Sequence, residues 1–464
     1  MQLQGARVLV WGLGVHGGGI GVAKWLVKQG ARVTVTDLKN AAQLESALAP
    51  LRDLPIEFIL GAHREKDFLN ADLIVRNPAV PRDAPLLQLA RARGIRVEME
   101  LGLFVQNLPR GNAQVIGITG TKGKTTTTLM IGAILKKANP KTIVAGNLRV
   151  SALELLDQID AHTPVVLEFS SWQLEGLEPH QSSPHLAAIT NISPDHLNRY
   201  RDLDDYANAK ATIYRFQQPE DFIVLNFDNR ILTRLPRAFS RVVWTSAQRP
   251  LSEGAYREGD ALMWRWGERR EKIFDLRDFQ LPGAHNVSNA LTAIAVASLW
   301  GATPEQIARA LAEFRGVPDR QELVAEIAGV RYINDTTATA HAAAIAALET
   351  FQPRARAIIL IAGGADKELD YSDFGRAIAE KAARVILLDG TATEKIILAI
   401  TRANAQERIG GTFDSMRAAI AHARASAQRG DVVLLSPGCA SFGMFENEFE
   451  RGDAFRKAVL ELEE

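Results

Sequence analysis

The sequence has a single cysteine, Cys439, among 464 residues, so no intramolecular disulfide can form and a reducing compartment is expected. It also has no excess of charge, since 54 Lys and Arg residues are balanced by 54 Asp and Glu residues. Nucleic-acid-binding proteins usually carry a basic excess, so we expect no nucleic-acid partner. No apolar run reaches the ~20 residues that cross a bilayer, and the first residues lack the regions of a signal peptide. We therefore expect a cytoplasmic protein with no membrane partner.

Short apolar runs alternate with helical patterns along nearly the whole chain, which is typical of α/β domains with parallel sheets. Two stretches with proline and glycine, Leu108–Asn112 and Arg315–Asp319, predict joints between domains. They predict three domains, at residues 1–110, 111–316 and 317–464. The runs predicted as buried strands are Val8–Val10, Val33–Val35, Val115–Ile118, Val165–Phe169, Ile223–Leu225, Ile358–Ile361, Val385–Leu388 and Val432–Leu435.

The first predicted domain opens with a strand followed by Gly12-Leu13-Gly14-Val15-His16-Gly17, a G-x-G-x-x-G arrangement. Asp37 follows the second predicted strand, 20 residues after Gly17. Such a glycine turn lets the backbone approach phosphates, and an acidic residue on the next strand can accept hydrogen bonds from a ribose. The pattern predicts a Rossmann-like site for a nucleotide or pyrophosphate. A glycine turn that only packs a helix against a sheet is the alternative.

A second glycine-rich loop follows the strand pattern of the second domain and precedes an apolar helical pattern. Backbone amides in such a loop can surround phosphates, with Lys124 reaching the β- and γ-phosphates and the Thr125 hydroxyl placed to bind Mg²⁺. The strict P-loop pattern requires a glycine at Ile118, so this loop is a variant, and an ordinary strand–turn–helix is the alternative. The loop predicts ATP binding by Gly120, Thr121, Lys122, Gly123, Lys124, Thr125 and Thr126.

Three residues beyond this loop are candidates for metal chemistry. Glu168 lies at the end of an apolar strand, where a carboxylate can bind Mg²⁺, and pairing with a neighbouring cation is the alternative. His196 follows a strand and a Ser-Pro turn, although a lone histidine is more often structural. Lys210 lies on an apolar helical stripe, which indicates either an amine that is modified or paired at a metal site, or a snorkelling side chain whose head reaches water.

The third predicted domain has polar residues at three strand ends, namely residues 332–339, 362–367 and 434–442. Arg320 follows the joint that precedes them. Each of these segments alone is more often a plain loop. Together they predict a ligand crevice at the carboxyl edge of a sheet.

Taken together, these motifs resemble those of the Mur ligases of peptidoglycan synthesis, and the resemblance covers essentially the whole chain. Glu168–Glu175 and Leu435–Phe442 are similar to the branch of the family that adds D-glutamate. Thr337 stands where many members of that branch carry a lysine, so the identity and stereochemistry of the added amino acid stay open. The other motifs that carry the resemblance are Gly120–Thr126, Asn191–Arg199, Leu281–Asn286 with Asn289, and Asn334-Asp335.

The resemblance implies an α/β fold with three domains: a Rossmann-like N-terminal domain, a P-loop central ATPase domain and a Rossmann-like C-terminal domain. It implies an ATP-dependent amide ligase that adds D-glutamate to UDP-N-acetylmuramoyl-L-alanine through an acyl phosphate, in the synthesis of peptidoglycan and hence in cell shape and division. ATP and two Mg²⁺ ions are implied, with Lys124, Glu168, His196 and Lys210 in catalysis. Thr125 and Glu168 would bind one ion, and His196 and a carbamylated Lys210 the second. We expect a monomer.

The resemblance also implies the binding residues of the three substrates. The implied contacts of the UDP moiety are Gly14, Val15, His16, Asp37, Asn77 and Asn147. Further contacts to the ATP nucleotide are implied for Asn289, Arg320 and Asp335. Those around the incoming amino acid are implied for Thr339, Lys367, Ser441 and Phe442.

Four alternative functions are compatible with parts of the sequence. A sibling ligase would add a different amino acid, for example L-glutamate. A folylpolyglutamate synthase would begin directly with its ATP domain, which the Gly12–Gly17 segment argues against. An NAD(P)-dependent oxidoreductase would leave Gly120–Thr126 unexplained. A non-catalytic nucleotide sensor would not need Glu168, His196 and Lys210 together, so the ligase is preferred.

Overall fold

The computed structural model describes residues 3–14, 18–148, 150–195, 199–281, 283–366 and 370–462. The chain divides into two compact units, residues 1–314 and 315–464, and each is described by itself. The first unit contains two sheets and the second unit contains one. In the described parts of the chain, no helix combines the length and the apolar character that crossing a membrane requires.

The first sheet is entirely parallel, with the strand order β3-β2-β1-β4-β5. Its order reverses between β1 and β4, which is where the crevice of a Rossmann-like sheet forms. In this register Trp11 lies opposite both Thr36 and Arg76. The strands are β1 (Arg7–Trp11), β2 (Arg32–Asp37), β3 (Ile56–Leu60), β4 (Leu73–Arg76) and β5 (Arg96–Glu98). The helices of this part are α1 (Gly18–Lys28), α2 (Glu45–Leu48), α3 (Glu65–Leu69), α4 (Pro85–Ala92) and α5 (Glu100–Gln106).

The second sheet has nine strands in the order β14-β13-β12-β11-β10-β9-β6-β8-β7. In this spatial order, every neighbouring pair from β12 through β6 to β7 is parallel. The pairs β12–β13 and β13–β14 are antiparallel hairpins. The strands are β6 (Val115–Thr119), β7 (Ile143–Gly146), β8 (Val165–Glu168), β9 (Leu186–Ile189), β10 (Phe222–Asn226), β11 (Arg241–Ser246), β12 (Gly254–Glu258), β13 (Ala261–Trp266) and β14 (Arg269–Asp275). The helices are α6 (Lys124–Ala138), α7 (Ser171–Leu174), α8 (Leu203–Arg215), α9 (Ala284–Leu299) and α10 (Pro304–Glu313).

One hydrophobic core extends across both sheets of the first unit. It includes Val8 and Val10 of β1 together with Val115 of β6 and Val165 of β8, all of them buried. A second core lies on the other face of the nine-stranded sheet, where α6 and α9 cover it. Because the first sheet shares its core with the second, the two sheets form a single compact unit.

The second unit has one sheet in the order β15-β16-β20-β17-β18-β19, with β15 antiparallel and the others parallel. Two cores of its own pack against the two faces of this sheet. The strands are β15 (Glu322–Ile327), β16 (Val330–Asn334), β17 (Ile358–Gly363), β18 (Arg384–Leu388), β19 (Ile409–Phe413) and β20 (Val432–Leu435). The helices are α11 (His341–Phe351), α12 (Ser372–Lys381), α13 (Thr393–Arg402), α14 (Met416–Ser426) and α15 (Glu448–Leu460).

The structure confirms the α/β class, and all eight apolar runs predicted as strands coincide with strands. Only Phe169 falls outside, because β8 ends at Glu168. The hairpins formed by β12, β13 and β14 were not predicted, although the Gly259 and Gly267 turns between them are typical hairpin signals. The predicted domain boundaries at residues 110 and 316 stay predictions.

Candidate active site

The glycine-rich loop at residues 120–123 connects β6 to α6 and adopts a backbone shape that only glycine permits at two positions. Gly120 and Gly123 have φ angles of +150° and +80°. A Cβ atom on Gly123 would lie 2.3 Å from Asn289 Oδ1, and one on Gly120 would lie 2.0 Å from Thr190 Oγ1. The loop therefore packs directly against the residue after β9 and against α9, and Lys124 begins α6.

Residues that follow β9 hold this loop in place. The Thr121 amide donates to the carbonyl of Asn191 at 2.8 Å, and the Lys122 amide donates to Asn191 Oδ1 at 3.0 Å. The Lys122 carbonyl accepts from Asn191 Nδ2 at 2.9 Å and from Thr190 Oγ1 at 2.7 Å. Sequence reasoning placed Asn191 in a motif but gave it no role, because the pairing of β9 with β6 is not visible in the sequence.

Glu168 lies at the carboxyl end of β8, beside the glycine-rich loop, and is 1% exposed. Its Oε1 atom accepts a hydrogen bond from Asn147 Nδ2 at 2.9 Å. Its Oε2 atom is buried and has no hydrogen-bond donor among the described residues. An unsatisfied buried carboxylate oxygen is costly unless a cation binds it, so Glu168 fits a Mg²⁺ ligand.

Lys210 lies on the buried face of α8, as its position on the apolar stripe predicts, and is 1% exposed. Its Nζ atom lies 4.6 Å from the centre of the Tyr206 ring. Because the head group is buried with the stem, the snorkelling alternative is wrong. Burial, and then the charge of Lys124, lower the pKa of Lys210 to about 7, while Asp195 and Glu168 act in the opposite direction.

The structure thus brings Lys124, Glu168 and Lys210 to one edge of the nine-stranded sheet. Lys124 Nζ also donates to the Thr121 carbonyl at 3.1 Å, and Thr125 and Thr126 form the first turn of α6 with it. His196 lies outside the described residues. Among the described residues, no group of three or more His, Cys, Asp or Glu side chains is placed so that it could hold a metal ion.

Sequence reasoning missed Asp195, whose carboxylate lies 3.7 Å from Lys122 Nζ and acts on the pKa of Lys210. Asp195 was visible only as part of the polar segment after β9. The placement of that segment over the glycine-rich loop depends on strand order, which a single sequence does not reveal.

The nucleotide residues predicted for the first sheet lie at the carboxyl ends of its central strands. Asp37 Oδ2 accepts from the amides of Leu13 and Gly14, at 2.9 and 3.4 Å, and Asp37 Oδ1 accepts from the Lys39 amide at 2.9 Å. Asp37 therefore shapes the glycine loop, and its contact with a ribose stays a prediction. Val15, His16 and Gly17 lie outside the described residues.

Asn77 follows β4, and its amide donates to the Trp11 carbonyl at 2.8 Å, which ties it to the end of β1. A cavity of about 30 Å³ lies at this strand reversal and is lined by Val10, Gly12, Gly18, Gly19, Val22, Val75, Arg76, Asn77, Pro78 and Glu100. Asn147 lies instead at the end of β7, where it orients Glu168, so its predicted contact with the UDP-linked substrate would place that substrate beside the Mg²⁺ ligand.

In the second unit, the three predicted polar segments follow β16, β20 and β17, which are adjacent parallel strands. Asp335 accepts a hydrogen bond from Ser436 Oγ at 2.8 Å, and the segments after β17 and β20 pair through Ala365 and Ala440. Burial raises the pKa of Asp335 to about 7. The strand ends therefore meet as predicted, and the ligand crevice at this edge stays a prediction.

A buried arginine of α15 supports two of these segments. Arg451 is fully buried, and its guanidinium donates to the carbonyls of Thr336, Cys439 and Ala440 and to Thr336 Oγ1. Thr337 donates through Oγ1 to the Asp319 carbonyl at 2.9 Å. This hydrogen bond stabilises the conformation of the loop that contains Thr337.

The remaining predicted residues of this unit are only partly brought together. Ser441 is buried, whereas the Phe442 side chain is 60% exposed. Arg320 is exposed and acts electrostatically on Asp335. Lys367 lies outside the described residues, and Thr339 follows the Thr337 turn, to whose carbonyl its amide donates at 2.8 Å.

Comparison with known families connects the three sheets to three known domains. Residues 6–98 match the family model of the Mur ligase MurD-like N-terminal domain, residues 118–297 match the Mur ligase middle domain, and residues 319–439 match the Mur ligase glutamate ligase domain. A protein of Roseiflexus sp. (strain RS-1) named UDP-N-acetylmuramoylalanine–D-glutamate ligase is 50% identical, over 99% of both chains. The chain belongs to the Mur ligase family. A Koribacter versatilis protein with the same name is 39% identical to this Mur ligase, over 100% of this chain and 99% of the relative.

Solved structures agree with this Mur ligase at the level of the fold. The UDP-N-acetylmuramate-alanine ligase of Thermotoga maritima is 22% identical with a TM-score of 0.60, covering 98% of this chain and 100% of the other. The MurF protein of Acinetobacter baumannii is 17% identical with a TM-score of 0.59, covering 98% and 93%. At these identities the likeness supports the Mur ligase architecture.

Proposed function

We propose that this Mur ligase joins D-glutamate to UDP-N-acetylmuramoyl-L-alanine in an ATP-dependent reaction of peptidoglycan precursor synthesis. The observation that carries the proposal is the 50% identity, over 99% of both chains, to a relative named for this reaction. The glycine-rich loop before α6, with Glu168 beside it, supplies the ATP site that such a reaction needs.

The phosphates of ATP would bind to the backbone amides at the start of α6, with Lys124 and Thr125 as side-chain contacts. Glu168 Oε2 and the Thr125 hydroxyl would hold one Mg²⁺. The ion, when bound, offsets charge on the phosphoryl group that is transferred. Asn289, packed against Gly123, keeps the loop in the shape that this binding needs.

A second Mg²⁺ would be held by His196 and by Lys210 in a carbamylated form. An amine whose pKa is lowered to about 7 is partly neutral near neutral pH, and only a neutral amine can add CO₂. Carbamylation would replace a buried cation with a carboxylate-like group, which suits a metal site better than an ammonium does. The positive charge of Lys124 beside Lys210 favours the change from a positively charged ammonium to a negatively charged carbamate.

In the proposed reaction, the carboxylate of the alanyl residue attacks the γ-phosphorus of ATP, an oxygen–phosphorus bond forms, and ADP leaves. The neutral amine of D-glutamate then attacks the acyl carbon and a carbon–nitrogen bond forms. The bond from that carbon to the phosphate oxygen breaks, inorganic phosphate leaves with the bonding electrons, and the nitrogen gives up one proton. Lys124 would stay beside the transferred phosphoryl group throughout. Asn289, Arg320 and Asp335 would bind the ATP nucleotide, and Thr339, Lys367, Ser441 and Phe442 would surround the amino acid.

The UDP moiety would bind at the strand reversal of the first sheet, where Gly14, Asp37 and Asn77 lie near the carboxyl ends of β1, β2 and β4. Val15 and His16 would complete that site, and Asn147 would contact the same substrate near Glu168. We propose that the enzyme acts as a monomer. ATP and the nucleotide-linked precursor would meet it in the cytoplasm.

The test is the release of inorganic phosphate from ATP with UDP-N-acetylmuramoyl-L-alanine and Mg²⁺, with D-glutamate and L-glutamate offered in separate reactions. We expect release with D-glutamate only, and a nucleotide product that gains one glutamyl residue by mass. Release with L-glutamate alone would show that the protein is a ligase but that it adds L-glutamate instead of D-glutamate. No release with any amino acid, in the presence of bicarbonate, would overturn the proposal.

A further inference from the structure

Three charged side chains form a cluster at the contact between the two sheets of the first unit. Arg76 ends β4 and Glu175 follows α7. Arg199 lies in the segment between β9 and α8. Arg76 Nη2 lies 2.5 Å from Glu175 Oε2, and Arg199 Nη2 lies 3.6 Å from Glu175 Oε1. Their side chains are 4%, 13% and 18% exposed, so one shielded carboxylate is shared by two cations.

Both guanidiniums also bind the turn at residues 77–80. Arg76 Nη1 donates to the Val80 carbonyl at 2.8 Å. Arg199 donates to the Pro78 carbonyl at 3.2 Å and to the Ala79 carbonyl at 3.4 Å. Three successive carbonyl oxygens of the turn are therefore engaged by cations.

This arrangement matters for an anionic ligand. Unpaired carbonyl oxygens repel a diphosphate, but the carbonyl oxygens of this turn are bound by guanidinium groups. The cluster contains two cations and one anion, so its net charge is positive. The turn begins at Asn77, which lines the cavity at the reversal of the first sheet together with Arg76. The cluster thus borders the region where a nucleotide diphosphate is proposed to bind.

The cluster also connects this turn to the ATP site. The Arg199 guanidinium lies 4.2 Å from the centre of the Trp172 ring, which is on α7, the helix that ends just before Glu175. Arg199 ends the motif that begins with Asn191, and Asn191 binds the glycine-rich loop. One segment of chain therefore contacts the loop for ATP at its beginning and the turn of the first sheet at its end.

We propose that Glu175, with Arg76 and Arg199, positions the turn at residues 77–80 for the uridine-diphosphate part of the substrate. The three are positioning residues, since each acts through the turn. The inference rests on the proposed function, because it names how that substrate is held. It assigns roles to Arg76, Glu175 and Arg199, which no step of the phosphoryl transfer uses.

The test uses the full chain and the variants Arg76→Lys, Arg199→Lys and Glu175→Gln. Lysine keeps the charge but cannot span several acceptors, and glutamine keeps the size but not the charge. Arg201→Lys is the matched control, because Arg201 is on the same segment, is 85% exposed and pairs only weakly with Asp205. Two sets of quantities are measured for each protein. The first is the Kd of UDP-N-acetylmuramoyl-L-alanine in the absence of ATP, and the second is kcat together with the KM of each substrate.

We expect Arg76→Lys and Arg199→Lys each to raise the Kd and KM of the nucleotide substrate about tenfold, the effect of one lost charge-assisted hydrogen bond. The KM of ATP and kcat are expected to change less than about threefold, since the glycine-rich loop keeps its own contacts. Glu175→Gln combined with Arg199→Lys is expected to add little to Glu175→Gln alone, because both act through the turn at residues 77–80. Arg201→Lys is expected to match the wild type.

A merely structural role would instead lower kcat and the melting temperature together, with additive effects in the double variant. That result, or unchanged nucleotide binding in all three variants, overturns the inference while the proposed function stands. A wild-type chain that neither binds the nucleotide substrate nor releases phosphate overturns the proposed function and this inference together. If Glu175→Gln does not fold, Arg199→Lys combined with Arg76→Lys decides between the outcomes.

Discussion

The ammonium group of Lys210 lies in surroundings that disfavour its charge, because it is buried and Lys124 is nearby. The sequence could place Lys210 on the apolar face of a helix, since the face follows from the spacing of Leu203, Tyr206 and Ile213. It could not decide whether the head group reaches water. That depends on how deeply α8 packs against the nine-stranded sheet, which is a property of the tertiary structure.

Replacing Lys210 with methionine separates function from stability. We expect Lys210→Met to lower the rate of phosphate release at least about 100-fold, because several kcal/mol of charge stabilisation at the proposed metal site would be lost. The free energy of unfolding is expected to stay the same or rise by about 1–4 kcal/mol, since an apolar side chain fits a buried position. Phosphate release and urea denaturation measure the two effects.

The control is Lys136→Met, at an exposed position of α6. It should leave the rate unchanged. Activity within tenfold of the wild type in Lys210→Met would contradict the proposed role of Lys210.

Glu100 provides a prediction of pH dependence. Its Oε1 atom accepts from Ser151 Oγ and from the Ala152 amide at 2.9 Å, and burial raises its pKa from 4.5 to about 7. The folded protein thus binds this proton more tightly than the unfolded chain. The stability that Glu100 contributes is therefore complete below about pH 4.5 and is lost as the pH rises through about 7.

We expect Glu100→Gln to gain stability relative to the wild type between about pH 5 and about pH 8, by up to about 3 kcal/mol. The difference between the two proteins in urea denaturation isolates Glu100 from other groups, such as Asp335. Glu65→Gln, on an exposed part of α3, should show no such trend. A constant difference across this pH range would show that Glu100 stays ionised in the folded protein.

At the scale of elements, the glycine-rich loop before α6 and eight of the strands could be predicted because their signals are local. Glycine spacing indicates a turn, and a short apolar run indicates a buried strand. What could not be predicted is which strands are neighbours. Asn191 and Asp195 became part of the candidate site only because β9 pairs with β6, and that pairing joins residues about 70 positions apart.

The glycine-rich loop before α6 allows a direct test of its shape. We expect Gly123→Ala to weaken ATP binding at least about tenfold, because alanine at φ +80° costs about 1–2 kcal/mol and its Cβ would lie 2.3 Å from Asn289 Oδ1. Binding of the nucleotide-linked substrate should change little. Calorimetric titration with ATP and with the second substrate measures both.

Gly259→Ala is the matched control for the backbone cost alone. Gly259 has φ +61° and lies in the turn between β12 and β13, where an added Cβ atom would meet no heavy atom within 4 Å. The substitution should lower stability by about 1 kcal/mol without affecting ATP binding. Equal ATP binding by Gly123→Ala and the wild type would argue that the loop does not hold phosphates.

At the scale of the whole molecule, the hydrophobic cores do not follow the division into three sheets. Val8 and Val115 belong to one core that spans the first two sheets, whereas the second unit has cores of its own. The sequence indicates each sheet through its strands. The sequence cannot reveal that two sheets share a core. A core side chain is apolar in either case, whether it contacts its own sheet or the neighbouring one.

We therefore expect residues 315–464 to fold as an isolated fragment with a cooperative thermal transition, since all of the sheet and both cores are present. Residues 1–110 alone should bind a hydrophobic dye and unfold at lower temperature, because part of their core is supplied by β6 and β8. Circular dichroism and calorimetry of the two fragments check this. A dye-free, cooperatively folded 1–110 fragment would contradict the shared core.

The position of Arg451 has a consequence for the newly made chain. The two loops that its guanidinium binds, at Thr336 and at Cys439–Ala440, are synthesised before the helix α15 that carries it. Until α15 leaves the ribosome and docks, those loop carbonyls lack the donors that hold them in the folded protein. These two loops therefore reach their folded shape only after the last helix of the chain has been made, when the rest of the protein has already been able to fold.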